Sequence, residues 1–389
     1  MHPPAPPTPR QRPFGLPVYR SSVFGFDTAE EYADVLGDRA PGYVYSRIDN
    51  PTVDAFAAAV AALEGRAVDG EVVGQAFASG MAAISTVLLT FLEAGAHVVA
   101  SRELYGGTYS LLDRVLPRYG VSTTFVDVAA LDAVRAAVTP ATRVIWAETM
   151  ANPTLTVADL PSLAAIAHEA GGLLGVDSTF ASPAVCRPLE HGVDVVVHSA
   201  TKYIGGHSDA TGGVALGAPG LLSKVRKLRI DLGGSMAPDE AFLLHRGLAT
   251  LPLRVSRSNE TSLAVAAALQ GHPGLDRVHH PGLASHRDHA LATKLFDPGR
   301  FGGIVTVDVR GGREAGLAFC NRLRLAANAT SLAGTHTVVS HVASTTHRQL
   351  DDAALAAGGL TAGSVRIAIG LEDAEDLIAD ITQALGPAS

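Results

Sequence analysis

Between Gly65 and about residue 245 the chain repeats one pattern, a short apolar run rich in β-branched residues followed by a stretch with helical spacing. The runs include His97-Val98-Val99-Ala100, Thr123-Thr124-Phe125-Val126, Arg143-Val144-Ile145-Trp146 and Leu173-Leu174-Gly175-Val176. Repeated alternation of this kind predicts an α/β fold, a doubly wound and mainly parallel sheet with helices on both faces. Val193-Asp194-Val195-Val196-Val197 reads as a further strand, buried on both sides. A chain of 389 residues can bury a large core, and a second lobe is expected from about Arg246.

The run 193–197 leads directly to Lys202, in His198-Ser199-Ala200-Thr201-Lys202-Tyr203-Ile204-Gly205-Gly206. Taken alone, this is the sequence of a surface lysine in a polar loop. Hydroxyl residues beside flexible glycines, however, commonly hold a phosphate. A lysine whose pKa is lowered by burial becomes a nucleophile, suited to a Schiff base with an aldehyde cofactor. Asp177 stands twenty-five positions earlier (202 − 177), at the end of another apolar run. It reads either as a helix cap or as the carboxylate that keeps a pyridine nitrogen protonated, making the ring an electron sink. Strand-Asp followed by strand-Ser-x-Thr-Lys is a signature of a pyridoxal phosphate site.

Two more segments carry chemistry. Ser79-Gly80-Met81 precedes an apolar helical run from Ala82 to Leu89. The start of a helix binds phosphate through its unpaired N–H groups and dipole, although a plain N-cap by Ser79 is the competing reading. Arg366 lies inside the apolar run Ser364-Val365-Arg366-Ile367-Ala368-Ile369-Gly370. An arginine left unpaired there is costly, and its fork matches a carboxylate with two parallel hydrogen bonds. A structural salt bridge is the alternative.

These segments stand in order with Tyr45-Ser46-Arg47-Ile48-Asp49-Asn50-Pro51-Thr52, Leu104-Tyr105-Gly106-Gly107-Thr108-Tyr109 and Glu148-Thr149-Met150-Ala151-Asn152-Pro153. From about Pro17 to about Leu385 the chain closely resembles the Cys/Met-metabolism (trans-sulfuration) branch of fold-type I pyridoxal phosphate enzymes. That branch includes cystathionine γ-synthases, cystathionine and methionine γ-lyases and O-acylhomoserine sulfhydrylases. The resemblance implies a mainly parallel, seven-stranded type of sheet with helices on both faces, plus a smaller α+β C-terminal domain. It implies a flexible Pro-rich tail over residues 1–16, an arm over 17–51, a cofactor domain over 52–245 and a substrate-carboxylate domain over 246–389.

The same resemblance implies roles for particular residues. Pyridoxal 5'-phosphate would be held by Lys202 and Asp177, with Ser79, Gly80, Met81, Ser199 and Thr201 around its phosphate. Tyr105 would lie on the pyridine ring and give a proton to the leaving group; Asn152 would stand near the ring oxygen. Arg366, with Ser331, would hold the α-carboxylate of a small amino-acid substrate. Tyr45 and Arg47 would reach the phosphate of a neighbouring subunit, in a homotetramer built as a dimer of dimers.

Three departures bear on the reaction. Gly107 stands where typical methionine γ-lyases carry a cysteine. His336 replaces a glutamate that cystathionine-handling members place near the distal end of the substrate. The segment from Arg229 to Ser235 has no usable match. The expected activity is γ-elimination on L-methionine or a related thioether; γ-replacement by a synthase is the runner-up, with cystathionine γ-lyase a further alternative.

Composition fits this reading. Net charge is −8, so there is no basic footprint for nucleic acid. No apolar run reaches the roughly 18 residues that span a bilayer, the start lacks an apolar signal core, and a cytoplasmic location is expected. Cys186 and Cys320 are too few for a disulfide framework and read as buried thiols. His279, His280, His286 and His289 read as a solvated surface and not a metal site.

Overall fold

The computed structural model describes residues 13–386 apart from 347, 349 and 350. The tail expected over 1–16 therefore falls outside the described residues as far as residue 12. The large sheet has seven strands: β1 (Val73–Phe77), β2 (His97–Ser101), β3 (Ser122–Val126), β4 (Thr142–Glu148), β5 (Leu173–Asp177), β6 (Val195–Ser199) and β7 (Gly213–Gly217). Their order is β1-β7-β6-β5-β4-β2-β3. From β2 to β6 all pairings are parallel, whereas β7 runs antiparallel to both β1 and β6.

Each strand serves two cores, because successive side chains point to opposite faces. Val144 and Trp146 pack with Ile84, Val87 and Leu88 of the helix Gly80–Phe91. Ile145 and Ala147 turn the other way, toward Phe56 and Val60 of the helix Pro51–Glu64. Both faces being covered, the strands read as continuous apolar runs. Trp146 needs a glycine on the next strand: a Cβ at Gly175 would stand 2.6 Å from its ring.

A second sheet has five strands: β8 (Leu275–His279), β9 (Ile304–Val309), β10 (Ala327–Asn328), β11 (Val338–His341) and β12 (Ser364–Ala368), in the order β10-β11-β12-β9-β8. Val305, Val307, Val365 and Ile367 pack on Val265 and Leu269 of the helix Leu251–Leu269 and on Leu377 and Ile381 of the helix Ala374–Leu385. The opposite face turns toward the large sheet, where Thr306 donates 2.6 Å to the Pro153 carbonyl. Among the described residues no helix is long and apolar enough to cross a membrane.

Several expectations are corrected. The alternation in Gly303–Val309 predicts a half-exposed strand, yet β9 is buried along its whole length. Its polar positions are paired: Thr306 with the Pro153 carbonyl of the other lobe, Asp308 with His279 and Ser364 on the flanking strands of its own sheet. The histidine run is likewise not a solvated surface. His279 is held by Asp308 at 2.8 Å, and fully buried His280 by Ser262 at 3.1 Å. Burial pushes His280 down to about 4, so it is a neutral hydrogen-bonding core residue. Helical spacing from Arg246 through about Gln270 predicts one long helix; Leu251–Leu269 forms it, while Arg246 closes the separate helix Pro238–Leu248. The arm is not wholly irregular: Ala29–Leu36 is a helix whose Thr28 side chain caps the Glu31 N–H.

The arm is tied to the body by charge. Asp49 receives Arg229 at 2.9 Å and also Arg226. Nearby Asp54 is pushed up from 3.8 to about 6, by burial first and then by Asp49, against Tyr43, Arg229 and Arg226. A carboxyl with a raised folded pKa is most favourable below its unfolded value, and that advantage is lost as pH rises from about 4 to 6. Asp54→Asn is therefore expected to stabilise the chain by about 1–2 kcal/mol at pH 7.5 and by little at pH 4, read by urea denaturation at both.

Candidate active site

The C-terminal ends of the parallel strands bring the chemistry together, as open α/β sheets do. β5 ends on Asp177, 8% exposed. Its Oδ1 receives both the Thr179 N–H at 3.0 Å and the Thr179 hydroxyl at 2.5 Å, while no hydrogen bond occupies Oδ2. Burial raises the Asp177 pKa, opposed by the Thr179 hydrogen bonds and by His198.

β6 ends on Ser199, and the turn that follows carries Thr201 and Lys202. The Thr201 hydroxyl accepts the Gly212 N–H at 3.0 Å, closing the turn into β7. Gly80, at the start of its helix, lies against this turn: a Cβ there would meet the Ser199 Cβ at 2.7 Å. Ser79 accepts the Ala82 N–H at 3.1 Å, so the N-cap reading of Ser79 holds. A helix N-terminus facing a free serine hydroxyl suits a phosphate monoester.

Lys202 extends from the turn after β6, and its Nζ donates 2.6 Å to the Ser331 hydroxyl. Burial, and secondarily the Arg366 guanidinium, push its amine below the ordinary lysine value. Arg366 comes from β12 and is only 4% exposed. It donates 3.1 Å to the Asn152 side chain and 2.8 Å to the Ser331 carbonyl, while its buried Nε has no partner. Among the described residues no carboxylate pairs with it, and burial drives its pKa down to about 10. The structural salt bridge is excluded, and a buried, uncompensated guanidinium is left for an incoming anion.

Tyr105 begins the segment after β2; its ring is half exposed, and its backbone N–H donates 2.6 Å to Glu148. Gly107 lies under that ring: a Cβ there would stand 2.6 Å from Tyr105 Cε1 and 3.0 Å from Met81 Sδ. Direct contacts link these residues: Lys202, Ser331, Arg366 and Asn152 form one hydrogen-bonded series, Asp177 joins Ser199 through Thr179, Gly80 lies against Ser199, and Tyr105 and Met81 flank Gly107. Tyr45 and Arg47 do not join them within this chain. Both lie on the arm, with Arg47 stacked on the Tyr45 ring and donating 2.8 Å to the Ile230 carbonyl. His336 is exposed, its Nδ1 3.1 Å from the Thr335 hydroxyl. Sequence reading did not single out Glu148, although it ends the apolar run of β4 just as Asp177 ends that of β5.

The residues present fit pyridoxal phosphate: a nucleophilic amine, an acid with one free oxygen, an anion cradle and a separate carboxylate receptor. Comparison with known proteins agrees. The family described as Cys/Met metabolism PLP-dependent enzyme matches residues 5–386. The L-methionine gamma-lyase of Fusobacterium nucleatum subsp. nucleatum is 40% identical over 373 residues, 95% of this chain and 93% of that one. The cystathionine gamma-synthase of Mycobacterium tuberculosis is 40% identical over 389 residues, 98% of this chain and 94% of that one. A Campylobacter jejuni structure described as an O-acetylhomoserine (thiol)-lyase, carrying N'-pyridoxyl-lysine-5'-monophosphate, superposes with a TM-score of 0.91 at 31% identity, covering 97% of this chain and 96% of that one. This chain is therefore a member of the Cys/Met metabolism family of enzymes, whose cofactor is pyridoxal 5'-phosphate.

Proposed function

We propose that the enzyme cleaves the Cγ–S bond of L-methionine or a related thioether amino acid, giving 2-oxobutyrate, ammonia and a thiol. The observation that carries this reading is the pairing of a carboxylate receptor with a distal end that lacks its own. Arg366 offers a buried guanidinium with a free Nε, whereas His336, exposed in this chain, stands by the resemblance where cystathionine-handling members hold a glutamate. A substrate with an α-carboxylate and a neutral side chain matches both ends.

Bound pyridoxal phosphate supplies an electron sink for negative charge at the substrate α-carbon. The chain's own residues do the rest. The Gly80 and Met81 N–H groups and the Ser199 and Thr201 hydroxyls would hold the phosphate, and Asp177 would take the ring N–H. Arg366 fixes the α-carboxylate with two parallel hydrogen bonds, which orients the α-hydrogen. Lys202, neutral more readily than a free lysine, removes that proton and returns it further along. The Tyr105 hydroxyl gives a proton to the departing sulfur.

Ser331 parks the Lys202 amine through its hydroxyl and steadies Arg366 through its carbonyl. Ser331→Ala keeps the second contact and loses the first. Its kcat is expected to fall about fivefold with KM nearly constant, the worth of one half-exposed hydrogen bond.

The decisive assay is 2-oxo acid release from L-methionine, L-cystathionine or an O-acylhomoserine without added thiol. Rapid 2-oxobutyrate from methionine supports the lyase. Silence until a thiol joins the acylhomoserine, followed by thioether formation, overturns it and makes the enzyme a γ-replacement synthase. Gly107 favours that second reading, because the resemblance puts a cysteine there in typical methionine γ-lyases. Exposed Tyr45 and Arg47 fit the further proposal that each serves the phosphate of a neighbouring subunit in a homotetramer.

A further inference from the structure

Glu148 ends β4 beside Asp177, its register partner on β5. Both carboxyl groups are buried, at 6% and 8% exposure. Of the charged groups that face them, His198 relieves only Asp177. Glu103, after β2, adds a third negative charge; His198, on β6, spends its Nε2 on Glu64 at 2.6 Å. Among the described residues no arginine, lysine or histidine pairs with Glu148 or Asp177.

Two adjacent buried carboxylates without a cation do not both ionise cheaply, so one keeps a proton. Their surroundings decide which. Asp177 accepts two hydrogen bonds from Thr179, which favour its charged form. Glu148 lies deeper in the electrostatic conflict: burial first, then Asp177, push its pKa well up against the backbone N–H groups of Tyr105 and Asn152. The proton belongs on Glu148.

We propose that Glu148 is a positioning residue that works as a neutral carboxylic acid. One oxygen holds the Tyr105 backbone at 2.6 Å, and its proton leaves Asp177 as the negative charge facing the cofactor ring. The inference rests on the reading that Tyr105 and Asp177 line that ring, but not on which amino acid is turned over. A buried acid kept neutral so that it can serve as a hydrogen-bonding group has precedent in other active sites.

The test uses the full chain stripped of cofactor and titrated with pyridoxal 5'-phosphate alone, following protein fluorescence and the absorbance of the bound chromophore. Glu148→Gln keeps an acceptor for Tyr105 and carries no charge; Glu148→Met fills the same space with no comparable acceptor. The Met variant is expected to weaken cofactor affinity about tenfold, from the loss of one buried acceptor. The Gln variant is expected to restore affinity to within about twofold of the natural protein. Its chromophore should titrate with pH as the natural protein's does. An equal loss in both variants, or a displaced pH profile in the Gln variant, would mean that Glu148 acts as a charge and would overturn the proposal. Unchanged affinity in the Met variant would overturn the positioning role. Because no amino acid is added, these outcomes stand apart from any failure of the proposed lyase activity.

Discussion

Lys202→Ala is expected to lower 2-oxo acid release at least about ten-thousand-fold, because one side chain is asked for two things. On the proposed reading it is the amine that would take the aldehyde of the cofactor and the base that would stand beside the substrate α-carbon. Its environment serves both. Burial and the nearby Arg366 lower its pKa, and the Ser331 hydroxyl gives the free amine a resting partner 2.6 Å away. Removing the side chain takes no support from the fold, since Lys202 is only half buried and makes no salt bridge. The variant should melt with the natural protein. Borohydride reduction followed by peptide mass spectrometry should place the pyridoxyl group on Lys202 in the natural protein and nowhere in the variant.

The second large effect is expected from Arg366→Lys, with kcat/KM falling about 100- to 1000-fold, mostly through KM. Losing one partner of a buried charged pair costs about 2–5 kcal/mol, and lysine cannot copy a planar fork. Two of the three guanidinium nitrogens are already oriented, by Asn152 and by the Ser331 carbonyl, which leaves the buried Nε side unsatisfied. Steady-state kinetics with varied amino acid checks this. Stability should move little or the opposite way, because the empty receptor holds an uncompensated charge at the expense of the fold. Arg366→Met should raise the denaturation midpoint of the cofactor-free chain while abolishing substrate binding. A midpoint well below that of the natural protein would mean that Arg366 holds the fold together.

The parallel strands were legible because a strand covered on both faces must be apolar throughout. Val195–Ser199 and Leu173–Asp177 announce themselves by that run and by the polar residue that ends it. β1 and β7 carry glycines at Gly74, Gly213 and Gly217 and lack a β-branched run, so the antiparallel return of β7 has no local signature. β9 misleads for a different reason. Thr306 and Asp308 mimic an exposed edge, but the facing lobe supplies the partner of Thr306 and the neighbouring strands those of Asp308, and only tertiary packing reveals it. The same applies to His279 and His280, whose partners lie 29 and 18 residues away. At the site, residues embedded in motifs were readable one by one. What sequence could not give is the adjacency of Glu148 and Asp177, which depends on the register of two parallel strands.

The two-sheet construction splits the site between moving parts. Lys202 and Asp177 belong to the seven-stranded sheet, whereas Arg366 and Ser331 ride with the five-stranded one. Hydrogen bonds from Arg366 to Asn152, Lys202 to Ser331 and Thr306 to Pro153 cross the seam. The chain crosses nearby through the break between the helices Pro238–Leu248 and Leu251–Leu269. A rotation of one body by a few degrees about that break would carry the carboxylate receptor and the resting place of the amine together. Substrate capture and release of Lys202 would then change in step, as in enzymes that close around their ligands. A residue at that break would thus govern affinity and turnover as a single quantity, since Arg254, bonded to Thr250, also holds the Tyr203 carbonyl next to Lys202.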